Sequence, residues 1–344
     1  MFLLCSSSSV FIQDPYPILR HFDARDGLPS SEIYDIIQDR QGYIWISTDN
    51  GVSRFNGYQF ENFGPEQGLS DPVVFHLFED HRGWIWMYTF REQVFIYRDG
   101  IISEFPYTEL LKQFKPRQSP RLLEWFYVDQ QGNFFGSLHE GSIVRIDTTG
   151  QYTDITADIP AGYIIWHHEG YQFFSYKRYP PEEGFAPIYR VPIKEAVALT
   201  IVQPDGSKTI VNKPWYRYFN SNSSNKFFQK NSYRRLPARD RILMQFDDRI
   251  ELIEVSTGET VQHIPYNQGT ILTQLECEMS SLVFQGHNYA ERGLSIHDRN
   301  GFRQNLDNLQ HPRLKVLLDH TIPNLLEDRQ GGLWIPTIEN GFIT

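Results

Sequence analysis

Cysteine is scarce: Cys5 and Cys277 are the only two in 344 residues, and neither belongs to a C-x-x-C pair or a zinc-ligand spacing. A thiolate metal site is therefore excluded. Cys277, next to Leu275 and Glu276, reads as a small core residue, and Cys5 falls in a segment expected to be removed. Positive charge is also short. Lys and Arg number 32 against 42 Asp and Glu, a net charge of −10 with no basic cluster. No general nucleic-acid surface is expected, although anionic ligands can still be met locally. G-x-S-x-G, phosphate-loop and dinucleotide motifs are absent, and no helical periodicity rivals the strand signals. Glycine (24) and proline (20) are plentiful, and aromatics make up 15% of the chain, ample for a core of strands and turns. One long all-β domain fits that composition.

The pattern is clearest from Ile33 to Phe60, IYDIIQDRQGYIWISTDNGVSRFNGYQF. Alternation at Ile33, Asp35 and Ile37 predicts a first strand, and the following turn ends on Gly42, which accepts positive φ. Tyr43–Thr48, β-branched and aromatic, predicts a buried second strand. Asp49-Asn50-Gly51 is a second turn, VSRF a third strand, Asn56-Gly57 a tight hairpin turn and YQF a fourth strand. Such a small sheet cannot bury both faces, so it reads as one unit of an array.

The array is visible. FHLFEDHRGWIWMYTFREQVFIYRDG repeats the pattern with Gly83 for Gly42, Trp86 for Trp45 and Thr89 for Thr48. A third copy carries Asp129, Gly132 and SIVRID, and IPNLLEDRQGGLWIPTIENGFI near the end carries Asp328, Gly331, Trp334 and Thr337. The turn glycines at 42, 83 and 132 are 41 and 49 residues apart, the period of a four-stranded propeller blade. Weaker units are expected at 163–176 (continuing through IYRVPI and ALTIVQ to KTIV), at 241–254 and at 280–297, with 220–231 an exposed loop. PILRHF at 17–22 has no blade of its own, and 322–343 supplies only three strands. The expected fold is all-β: a seven-bladed propeller of four-stranded antiparallel blades, in which 17–22 completes the last blade and removes free sheet edges. The domain runs over 15–344. Residues 1–14, opening MFLLCSSSSV, read as an export segment, since Met1–Gln13 is too short to span a bilayer.

QDRQGYIWISTDNGVSRFNG and EDRQGGLWIPTIENGFI, with the lead-in DGLPSSEIYDIIQD, resemble the two-component regulator propeller repeat. The likeness is strongest in the first and last units and covers most of the chain. That family forms β-propellers on the periplasmic side of membrane sensor histidine kinases, including hybrid kinases that sense oligosaccharides. The resemblance thus implies an extracytoplasmic sensor propeller, dimerising within a longer receptor. With no kinase, membrane helix or second propeller after Thr344, a fragment or a truncated form is expected. The partner is a small molecule, an oligosaccharide or a protein, and not a nucleic acid.

Trp45, Trp86 and Trp334 share one place per blade and read as packing between blades. Asp39, Asp80, Asp129 and Asp328 read as carboxylates that bond turn amides, too far apart around a ring to form a catalytic pair. Trp166-His167-His168-Glu169 holds adjacent histidines, which on a strand point to opposite faces, so no metal site is expected. No cofactor and no catalytic constellation is recognisable. A propeller hydrolase or lyase acting on glycans is the rival, because the D-x-x-G-x-x-W turn is also similar to the Asp-box of sialidase propellers. A structural spacer in a receptor is a third reading. For a ligand, the loops of one face converge on a funnel. They carry the candidate residues Arg25, Asp49, Asn50, Arg91 and Glu92, together with His139, Glu140, Glu339 and Asn340.

Overall fold

A computed structural model of the chain describes residues 19–113, 123–129, 131–138, 143–155, 162–168, 171–176, 199–202, 208–211, 233–236, 241–245, 249–254, 257, 259–265, 271–276, 283–287, 293–297, 303–305, 317 and 319–344. Its strands form seven four-stranded sheets. After β1 (His21–Phe22), the first unit holds β2 (Ile33–Gln38), β3 (Ile44–Thr48), β4 (Gly51–Phe55) and β5 (Phe60–Phe63). The second holds β6 (Val74–Glu79), β7 (Ile85–Thr89), β8 (Val94–Arg98) and β9 (Ile101–Glu104), followed by a short helix α1 (Thr108–Lys112) that no sequence signal announced. The third holds β10 (Leu123–Val128), β11 (Phe134–Leu138), β12 (Ile143–Ile146) and β13 (Tyr152–Asp154). The fourth holds β14 (Gly162–His168), β15 (Tyr171–Tyr176), β16 (Leu199–Val202) and β17 (Lys208–Val211). The fifth holds β18 (Tyr233–Leu236), β19 (Arg241–Gln245), β20 (Arg249–Glu254) and β21 (Thr260–Pro265). The sixth holds β22 (Ile271–Glu276), β23 (Val283–His287), β24 (Gly293–His297) and β25 (Arg303–Asn305), so it opens before the expected residue 280. The last holds β26 (Leu326–Glu327), β27 (Leu333–Pro336) and β28 (Phe342–Ile343).

In the first six units the strands neighbour one another in chain order, whereas the last sheet runs β1-β28-β27-β26. The chain's first strand therefore completes its last sheet. His21 faces Ile343 and Phe22 faces Phe342 in antiparallel register, and Arg20 and Thr344 exchange backbone bonds of 2.8 and 2.9 Å. Of the expected strand over 17–22, Pro17 and Ile18 lie outside the described residues, as do 1–14, 188–193, 220–231 and Cys277.

One hairpin differs from expectation. β5 starts at Phe60, not Tyr58, because the Asn56 side chain accepts from the amides of Tyr58 (2.9 Å) and Gln59 (2.8 Å). That Asx turn competes with the ladder, widens the loop and leaves Tyr58 92% exposed.

Apolar layers bind unit to unit. Trp334 and Phe342 pack with Ile44, Ile46 and Phe55 of the first unit. Trp45 packs with Leu77, Ile85 and Met87 of the second. Trp86 packs with Phe126 and Phe134 of the third. The expected role of the tryptophans holds, and each fills the wedge between adjoining sheets.

Candidate functional site

The units have two ends, each built from a different recurring turn. At one end the Asp-x-x-Gly turn is a clamp. Asp39 Oδ1 accepts from the amides of Gln41 and Tyr43, both at 2.9 Å, and its Oδ2 accepts the Trp45 indole N–H at 2.8 Å. Asp80 takes the Trp86 indole at 3.0 Å, and Asp328 takes that of Trp334 at 2.7 Å. The third unit has Phe135 in the tryptophan's place, and there the Asn133 side chain supplies the donor to Asp129 Oδ2 at 2.8 Å. These carboxylates are thus consumed by structure, as expected. The indole bond is an addition to the packing role.

Arginine then ties the last clamp to the first unit and the first clamp to the second. Arg329 donates to the carbonyls of Asp39 (2.7 Å) and Arg40 (2.8 Å). Arg40 donates in the same way to those of Asp80 (2.7 Å) and His81 (2.5 Å). Its amide and guanidinium also meet Glu79. Burial pushes the Glu79 carboxyl up, and Arg40 only partly opposes the shift.

At the opposite end, the loops between second and third strands meet the loops that enter each unit. Gly51 N bonds Pro72 O at 2.7 Å, Phe90 N bonds Val73 O at 2.8 Å, and Ile338 N bonds Thr321 O at 2.9 Å. Gly341 N bonds Ser31 O at 2.8 Å, which joins the last unit to the first on this face. The candidate residues in these loops have distinct surroundings. Arg25 is exposed and held by Asp23 at 2.6 Å, and its hydrogen bonds lower the Asp23 carboxyl from 3.8 to about 2. Asn50 donates to Pro29 O at 3.1 Å. The Arg91 amide donates to buried Asp71 at 2.7 Å, while its side chain is exposed. Asn340 O meets His21 Nε2 at 2.7 Å. Glu92 and Glu339 adopt left-handed backbone, φ 66° and 88°, which costs about 1–3 kcal/mol in a residue other than glycine. Asp49 is half-buried, and its Oδ1 has no hydrogen-bond partner. His139 and Glu140 lie outside the described residues.

Two features of this end escaped the sequence reading. The first is a bulge in five first strands: the register slips after the strand's first residue between Ile33 and Asp35, Val74 and His76, Leu123 and Trp125, and Ile271 and Thr273, and further along β14 between Ile164 and Trp166. A bulge leaves one residue unpaired and re-aims its side chain. In the first two units that residue is aromatic: Tyr34 and Phe75 meet edge to face at 4.9 Å, and Phe75 meets Phe90 at 6.0 Å. The second feature follows the bulge. Asp35 in β2, His76 in β6 and Asn324 just before β26 hold equivalent places in the repeat, and His76 and Asn324 both bond Asp35. His76 Nδ1 lies 2.8 Å from Asp35 Oδ2, and Asn324 Nδ2 donates to Asp35 Oδ1 at 2.5 Å. Comparing the repeats column by column, rather than by identity, would have brought Asp35, His76 and Asn324 together, whereas the bulges carry no such signal.

Among the described residues no group of His, Cys, Asp and Glu could hold a metal ion, and no helix is long and apolar enough to cross a membrane. The side chains of His167 and His168 are outside the described residues, though β14 contains both.

The sequence has no match among curated proteins. Residues 27–50 match the family model described as "Two component regulator propeller". Among solved structures, the extracellular domain of BT4673 from B. thetaiotaomicron, assigned as a one component system, is similar with a TM-score of 0.60 at 14% identity, over 95% of this chain and 40% of that one. The extracellular domain of BT3049 from the same organism, assigned as a hybrid two component system, gives 0.55 at 14% identity, over 94% and 41%. A streptogramin B lyase gives 0.54 at 11% identity, over 95% and 97%. The chain thus spans about two fifths of the sensor ectodomains it resembles. At these identities the likeness establishes the fold, an all-β, propeller-like array of four-stranded sheets. The matched segment contains the Asp39 clamp and the turn at Asp49-Asn50, so residues 27–50 carry one two component regulator propeller repeat.

Proposed function

We propose that the seven sheets close into a seven-bladed ring over 15–344, and that this ring is the extracytoplasmic sensing or interaction propeller of a two-component receptor. Residues 1–14 direct its export to the periplasm. Recognition takes place on the face made by the loops of Arg25, Asp49, Asn50, Arg91 and Glu92, with Glu339 and Asn340 beside them; His139 and Glu140, outside the described residues, are candidates for the same role. An oligosaccharide fits such a face, because hydroxyls both donate and accept.

The observation that carries this reading is an imbalance of hydrogen bonding. Asp49 Oδ1, His320 Nδ1 and Thr321 Oγ1 are buried without a partner, and all three belong to loops at this one end. Unsatisfied buried polar atoms cost about 1–3 kcal/mol each, so they are kept where a ligand or partner rewards them. The extracellular sensor domains among the structural relatives support the same role.

A thermal-shift screen of the full chain against oligosaccharides tests the proposal, since a ligand of the folded state raises the melting temperature. The shift should vanish in the Asn50→Ala/Arg91→Ala variant; a shift that persists in it removes the face from recognition. The lyase among the relatives, with nearly complete mutual coverage, favours catalysis as a second reading. Product analysis after incubation with any shifting ligand decides between them: intact ligand supports sensing, and cleaved ligand supports an enzyme.

A further inference from the structure

We infer that the mouth between the first and second units is a subsite for a cationic group, a guanidinium or ammonium borne by the ligand. This rests on the recognition face proposed above and assigns the chemistry at its centre. Tyr34 and Phe75, set at the bulges of β2 and β6, stand 4.9 Å apart, and Phe90 extends the row at 6.0 Å. Phe90 is 66% exposed, so its ring is accessible from solvent. Phe90 directly follows Thr89, which pairs with Val74, the neighbour of Phe75; Asp49 directly follows Thr48, which pairs with Ile33, the neighbour of Tyr34. By register, Asp49 thus holds the column next to Tyr34 that Phe90 holds next to Phe75.

The Asp49 carboxylate accepts and cannot donate, so whatever satisfies its unpartnered Oδ1 must be a donor. A second carboxylate, Glu32, already holds the Tyr34 hydroxyl at 2.5 Å, which fixes that ring. Asp71, buried, underlies the Arg91 amide at the other side of the row. Aromatic rings bordered by carboxylates attract a cation through both the ring quadrupole and direct charge. Of the two arginines on this rim, Arg25 is occupied by Asp23, and Arg91, whose amide is held by Asp71, has its side chain exposed to solvent. The net charge of −10 draws cations toward the molecule as a whole, but the rings choose the place.

The test titrates the full chain with a fluorescent tetrapeptide containing one arginine and with its citrulline counterpart, which keeps the shape and removes the charge. Methylguanidinium serves as a competitor. The arginine peptide should bind about tenfold more tightly than the citrulline peptide, and Phe90→Ala and Asp49→Asn should each weaken it about three- to tenfold. Both positions are at the surface end, and an unchanged melting temperature confirms that each variant folds. Competition by methylguanidinium assigns recognition to the cation alone; without competition, the cation must be presented by a peptide. Phe90→Ala leaves the charge unchanged, so equal affinity in that variant would mean general attraction to an acidic protein and would overturn the subsite. Equal binding of both peptides, or of neither, would overturn it too. An oligosaccharide whose shift is lost in Asn50→Ala/Arg91→Ala, from a chain that ignores the arginine peptide, removes the cation and leaves the recognition face. Failure of both removes both.

Discussion

Trp45 shows how one side chain serves two purposes. Its ring, 1% exposed, fills the wedge against the second unit, and its N–H closes the Asp39 clamp. Trp45→Phe keeps most of the ring and deletes the donor, leaving Asp39 Oδ2 short of a partner. The expected loss is about 1–3 kcal/mol, read as a lower urea midpoint with unchanged slope. The third unit supports that arithmetic, since Phe135 stands there with Asn133 as replacement donor. Asp23 gives a prediction in pH. Its folded carboxyl lies at about 2 against an ordinary 3.8, lowered first by the Arg25 hydrogen bonds. A depressed carboxylate adds stability above its unfolded value and loses it as pH falls from about 4 toward 2. Asp23→Asn should therefore flatten the acid-denaturation curve in that window while differing most from the parent near neutrality. Identical curves would show that the pair contributes nothing, a frequent outcome for an exposed arginine.

At the scale of elements, the joint between β1 and β28 is tightest at Gly341. Its φ is 68°, and a methyl group there would lie 2.0 Å from the Phe22 carbonyl oxygen. Gly341→Ala should cost about 2 kcal/mol or more, measured by thermal or urea unfolding, because strain and clash act together. Phe22, stacked on Phe342 at 5.1 Å, would be pushed from its seat. The turns that make these elements were legible because glycine, aspartate and asparagine each carry a local mechanism, as at Gly42 and Asp39. The bulges were not. Tyr34 and Phe75 have no glycine to mark them, and their displacement depends on strand pairing that no single segment encodes. The Asp35, His76 and Asn324 contact was hidden for another reason: three different residue types share one column of the repeat.

For the whole molecule, recurrence in the sequence translated directly into recurrence in space. Arg329 reaches the first unit as Arg40 reaches the second, so the last unit meets the first through the same contact that joins the first to the second. The identity of the candidate loops was readable from their place between strands, but their surroundings were not, since the pairing of Arg25 with Asp23 and the isolation of Asp49 Oδ1 arise only once the loops are folded against one another. Both ends of the described chain then contribute to one face, where Ser31 meets Gly341 and His21 meets Asn340. Without that meeting, the last unit's loops and those of the first would not share one face.

The most direct test is a disulfide across this joint. Arg20 and Thr344 exchange both backbone bonds, which makes the adjacent His21–Ile343 pair the non-hydrogen-bonded kind, with Cα atoms about 4.5 Å apart and suited to a cystine. In a His21→Cys/Ile343→Cys variant with Cys5 and Cys277 replaced by serine, oxidation should give a monomeric, circularly linked chain. Closing so long a loop should raise its stability by up to about 5 kcal/mol over the reduced form. Thiols that stay free under oxidant, or that link chain to chain instead, would contradict a ring closed by its own two ends.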